Sequence, residues 1–117
     1  MDNNRMSDMI NKPAFDGQDV KYLVQIDTPG FNIETDDFNI IVRGGGKEKT
    51  FQKADLVDDV TIVDGAEVRS YYLCFNTGFF GPCGLEAIVT AYARDTDFPG
   101  GIRIERDKFH LQVVEQL

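Results

Sequence analysis

Tryptophan is absent, histidine occurs once and cysteine twice in these 117 residues. One histidine excludes any site that needs two imidazoles and most histidine-based metal centres. The two cysteines, Cys74 and Cys83, are separated by eight intervening residues. That is neither a disulfide framework nor a C-x-x-C redox or zinc spacing. Two readings remain for them. Each is a small free hydrophobe of a reducing compartment, or Gly81-Pro82 turns the chain so that they bridge, with Cα atoms about 4.4–6.8 Å apart. No apolar run approaches the ~18 residues of a membrane span. The start, Met-Asp-Asn-Asn-Arg, lacks the apolar stretch of a secretory signal. A cytoplasmic origin without membrane contact is therefore expected. Positive charge is scarce too: 12 basic against 20 acidic side chains leave a net charge of −8. Nucleic acid rewards the opposite balance and is not an expected partner.

The chain is nonetheless 42% hydrophobic. Its length suits one domain with its own core. Residues 1–20 are polar, with scattered apolar positions. They read as a flexible arm or leader, in which Met6, Met9 and Ile10 share one helical face. Residues 21–117 form the folded domain. From Tyr22 onward the apolar period is two. Tyr22–Ile26 ends at a Thr28-Pro29-Gly30 turn, and Phe38, Ile40 and Val42 alternate up to Gly44-Gly45-Gly46. Lys47–Lys53 follows, which predicts a hairpin. Val57–Val63 closes at Asp64-Gly65. Arg69–Phe75 is apolar on both faces, so it is expected to be central and covered on both sides. In Leu85–Arg94 one face is Leu85, Ala87, Val89, Ala91 and Ala93. Ile102–Glu105 and Phe109–Val114 read as two closing strands, with Phe109, Leu111 and Val113 on one face and His110, Gln112 and Val114 on the other.

Short strands with turn signals every ~8–12 residues, and no helical period, predict an all-β fold. The expected form is an immunoglobulin-like β-sandwich of seven or eight antiparallel strands.

Few residues arrange themselves for chemistry. Asp95-Thr96-Asp97-Phe98-Pro99-Gly100 has the spaced acids and glycine of a calcium loop. Pro99 occupies a ligand position, however, and Glu105 comes one residue early. A turn held by its own aspartates is the favoured reading. Gly44-Gly45-Gly46-Lys47 lacks the spacing and the following helix of a P-loop. Asp55, Asp58 and Asp59 lie close in sequence, but carboxylate catalysis needs convergence across a cleft. They read as a solvated acidic edge that discourages aggregation. Neither Ser70 nor Cys74 belongs to a nucleophile motif, and His110 reads as a surface or interface histidine rather than a catalytic base. No catalytic, metal-binding or cofactor-binding residue is assigned. Phe79, Phe80 and Phe98 fall in loops, where aromatics either plug the end of a sandwich or form a protein-binding tip. With Gly44, Gly45 and Gly46 they make the candidate interaction surface.

The segments "DFNIIVRGGG", "YYLCFNTGFFGPCGLEA" and "RDTDFPGGIR" resemble small β-sandwich proteins encoded by phages and prophages of Bacteroides-type gut bacteria. The resemblance spans residues 37–106. It implies a non-enzymatic virion, tail or fibre-associated module, with protein partners and homo-oligomers, and it carries over no functional residue. The alternative is a carbohydrate- or calcium-binding module on the same sandwich. A small hydrolase using Asp55, Asp58 or Asp59 is a third reading.

Overall fold

The computed structural model describes residues 4–6, as backbone, and residues 12–117. The strands are β1 (Asn4–Met6), β2 (Ala14–Phe15), β3 (Asp19–Ile26), β4 (Phe38–Gly44), β5 (Lys47–Gln52), β6 (Val57–Val63), β7 (Ala66–Asn76), β8 (Cys83–Arg94) and β9 (Ile102–Glu115). They form one sheet in the order β1-β3-β7-β6 and another in the order β2-β9-β8-β4-β5. The protein is all-β, a two-sheet sandwich. Eight strands have three residues or more, and β2 has two.

Alternation built the core. Tyr22, Val24, Tyr71 and Leu73 of the first sheet meet Phe38, Ile40, Val42, Leu85, Ala87 and Val89 of the second. The alanines of β8 sit beside bulky cross-strand neighbours, Ala91 against Phe38 and Ala87 between Val42 and Phe109. Small and large side chains thus share one layer, the pattern that close packing requires.

Four local expectations change. First, the described part of residues 1–20 is joined to the sheets. The β1 strand pairs antiparallel with β3, and β2 pairs in parallel with β9, the one parallel ladder among the described strands. Ala14 is fully buried. Of the expected helical face, Met6 has a strand backbone, while Met9 and Ile10 lie outside the described residues. Second, β7 is central in its sheet but, among the described residues, covered on one side only. Tyr71 and Leu73 are buried, whereas Tyr72 and Cys74 face outward and are half-exposed. The Lys21 ammonium lies 4.4 Å from the Tyr72 ring and shelters part of it. Both cysteines are free.

Third, the two closing strands are one, the 14-residue β9. Fourth, its C-terminal half switches face. The β8–β9 register slips between Leu85 and Glu86, so that Leu85 pairs with Gln112 and Glu86 with His110. An extra residue in one strand reverses the alternation beyond it. Leu111, Gln112 and Val114 are consequently buried and Val113 is exposed. The bulge turns Gln112 inward, where its Oε1 accepts the Tyr22 hydroxyl at 2.5 Å and its Nε2 donates to the Lys12 carbonyl at 3.0 Å.

Candidate functional site

The β4–β5 turn and the β7–β8 loop meet at one end of the sandwich. Gly45 and Gly46 both have positive φ, 59° and 77°. Such a two-residue turn matches the twist of the strands it joins. A Cβ on Gly45 would stand 2.8 Å from the Phe80 carbonyl oxygen. The turn therefore lies directly on the loop backbone.

That loop is built rigidly. Thr77–Phe79 is a single 3-10 turn, and the Asn76 side chain caps it by accepting the Gly78 amide at 2.8 Å. Thr77 is fully buried. Its hydroxyl donates to the Phe15 carbonyl at 2.7 Å and accepts the Gln18 amide at 3.1 Å. Its own amide donates to the Gln18 carbonyl at 2.9 Å. The chain before β3 is thereby stapled under the loop.

The three loop aromatics divide. Phe80 is 5% exposed and edges onto Phe75 with ring centroids 5.7 Å apart, so it plugs the core. Phe79 packs edge-on against Phe80 but stays 44% exposed. The Lys47 and Lys49 ammonium groups each lie 5.5 Å from its ring centre. Phe98 is also 44% exposed, but it sits in the β8–β9 loop at the opposite end. The expected surface is thus one cluster, Gly44–Gly46 with Phe79 and Phe80, and one distant member.

Beside the cluster is a groove of about 450 Å³ lined by Arg43, Gly44, Gly46, Lys47, Glu48, Gly84 and Glu86. Arg43 Nε donates to Glu86 Oε1 at 2.9 Å, and Lys108 lies 3.8 Å from Oε2. The Arg43 hydrogen bond holds the Glu86 carboxyl below its usual range. An ionised, paired carboxylate is poorly suited to deliver a proton. The groove offers the Arg43–Glu86 pair, the Lys47 ammonium and turn backbone. The exposed Phe79 ring of the adjacent cluster adds an aromatic face. Together these suit recognition of a surface.

Two of the three candidate acids have local partners. Asp55 accepts the Gln52 amide at 2.8 Å, and Asp58 pairs with Arg69. Asp58 and Asp59 are adjacent in β6, opposite Tyr71 and Ser70, and so point to opposite faces. They do not converge on one substrate. At the Phe98 end, Asp95 accepts the Asp97 amide at 3.0 Å and Arg103 Nη1 at 2.5 Å. Both its oxygens are engaged. No group of three or more potential metal ligands comes together among the described residues. His110 is exposed opposite Glu86.

Arg103 bonds Asp95, Glu105 and the Pro29 carbonyl, tying the β8–β9 loop to the β3–β4 loop. Its hub role had no sequence signal beyond its charge. Nearby, Asp36 is buried, accepts the Asn32 amide at 2.8 Å and pairs with Arg94 at 3.1 Å. The Asn32 hydrogen bond, ahead of the Arg94 charge, lowers the Asp36 carboxyl, and the Asp97 amide and Arg103 lower Asp95. Depressed carboxylates stabilise the fold above their unfolded value of about 4, and that stability is lost as pH falls through the folded values. The melting temperature is accordingly expected to drop below about pH 4, less steeply in Asp36→Asn. Equal acid sensitivity in Asp36→Asn and the unaltered chain would remove this assignment.

Comparison with protein families, with characterised proteins and with solved structures finds no match for this chain.

Proposed function

We propose that this chain is a non-enzymatic structural and interaction module of a phage or prophage particle, made in the host cytoplasm and assembled through protein contacts. The observation that carries the reading is the stapled end of the sandwich, where Phe79 is held exposed under Lys47 and Lys49 on a rigid loop. A fixed aromatic with a cationic rim presents contact area at little entropic cost. The strand order supports an immunoglobulin-like form of the sandwich. β1-β3-β7-β6 corresponds to the A-B-E-D sheet of such domains, and β9-β8-β4-β5 to G-F-C-C′.

Mass spectrometry of purified particles from an induced lysate tests the proposal. The chain is expected at a constant ratio to the major structural proteins. Its absence from particles, with the free protein abundant in the lysate, would overturn the reading.

A further inference from the structure

The edge strand β6 has no partner on its outer side among the described strands. All seven of its residues are exposed, including Ile62 at 66%. The β3 ladder on β7 stops at Tyr71, so among the described strands Ala66–Ser70 pair only with β6. The β6–β7 hairpin therefore projects from the sandwich as a two-stranded ribbon. Val57, Val63 and Val68 are exposed on one face, and Val60 and Ile62 on the other. Unpaired backbone edges with apolar, β-branched side chains are templates for another strand. Among the described strands none pairs with this edge.

We infer that β6 pairs antiparallel with β6 of a second copy, centred on Val60, joining the two four-stranded sheets into one. The inference rests on the reading above that the chain assembles through protein contacts, and names a second copy as one such partner. Its warrant is the placement of the acids. A two-fold axis perpendicular to the sheet keeps the same face up in both copies. Facing residues must then share parity, so the centre of pairing moves along β6 in whole residues. Centred on Val60, Val57 faces Val63, Asp58 faces Ile62, Asp59 faces Thr61, and Val60 faces itself. No acid meets an acid, and all seven residues pair. Centred on Asp59, that carboxylate opposes its own copy. Centred on Thr61, Asp58 opposes Asp64. A parallel in-register pairing sets Asp58 and Asp59 each against themselves. Like charges directly opposed are destabilising. The acids that look like a guard against pairing thus leave one full-length register open.

Edge pairing buries little area, so the dimer is concentration-dependent. Each copy carries a net charge of −8, so added salt tightens it by screening repulsion. Sedimentation and cysteine crosslinking of the full chain test the register. Directly opposed residues lie about 4.5–5.5 Å apart at Cα, within disulfide reach. Val60→Cys is therefore expected to give a covalent dimer under mild oxidation. Thr61→Cys is not, because its copies lie on a diagonal about 7–8 Å apart. The unaltered chain controls for Cys74 and Cys83. Val60→Lys, at an exposed site, opposes two ammonium groups and weakens association by about tenfold or more.

A dimer that survives Val60→Lys and is not crosslinked by Val60→Cys would place self-association elsewhere. That result overturns this inference and leaves the particle reading standing. A chain monomeric at millimolar concentration and high salt overturns it as well, while particle mass spectrometry decides the broader reading independently.

Discussion

Gly45→Ala is expected to destabilise the protein by about 2–3 kcal/mol, more than Gly46→Ala at about 1 kcal/mol. Both glycines have positive φ, so both replacements add backbone strain. They differ in what the new methyl group meets. At Gly46 nothing lies within 4 Å, while at Gly45 the Phe80 carbonyl oxygen is 2.8 Å away. That oxygen belongs to a loop backbone pinned by Thr77, which has little room to yield. Urea unfolding measures the difference, and near-ultraviolet dichroism reports whether the Phe79 and Phe80 environments change. Equal losses for the two variants would mean that the turn does not bear on the loop. Rigid presentation of Phe79 would then lose its support.

Gln112→Leu has the second large expected effect. Gln112 and Tyr22 are both buried and bonded to each other across the two sheets. Removing one partner strands the Tyr22 hydroxyl, at a cost of about 1–3 kcal/mol. The double variant Tyr22→Phe/Gln112→Leu is expected to recover part of that loss, because neither polar group then remains unpaired. Recovery stays incomplete, since the Lys12 carbonyl has lost its donor. A double variant no more stable than Gln112→Leu would show that the pair is not coupled. Tyr22 also sets an alkaline limit. Burial pushes its hydroxyl from about 10 up to about 12. A raised value stabilises the fold fully below the unfolded value, and that contribution is lost as pH climbs from about 10 toward 12. Tyr22→Phe removes this part of the alkaline limb.

Much of the fold was legible because burial on one face writes itself as a period of two. Phe38, Ile40 and Val42, and the Leu85–Ala93 row, were read correctly and are buried. The hairpin at Gly44–Lys47 was legible because consecutive positive φ angles favour glycine. The free state of Cys74 and Cys83 was one of two open readings, and the packing chose it.

Other features left no local mark. Polar composition made residues 1–20 look separate from the domain. Strand pairing uses backbone groups that every sequence has, and β1 and β2 pair through them. The aromatic face of Tyr72 suggested burial, but sheet position decides exposure, and no layer of the described residues lies over that side of β7. Within the candidate surface, Phe79 and Phe80 were indistinguishable as neighbours in a loop. The 3-10 turn at Thr77 sent one ring inward and the other out. Phe98 joined the group by residue type, and the β8 strand carried it to the far end.

By itself, then, the sequence determined the all-β class, the turns and most of the inward row of side chains. These follow from interactions between residues a few positions apart, through side-chain alternation and backbone sterics. Tertiary structure alone decided the β9 bulge, the Tyr22–Gln112 bond between the sheets, the partition of the loop aromatics and the exposed ribbon at β6. Each depends on which strands become neighbours. That choice is made by burial summed over the whole chain, and no short stretch of sequence carries it.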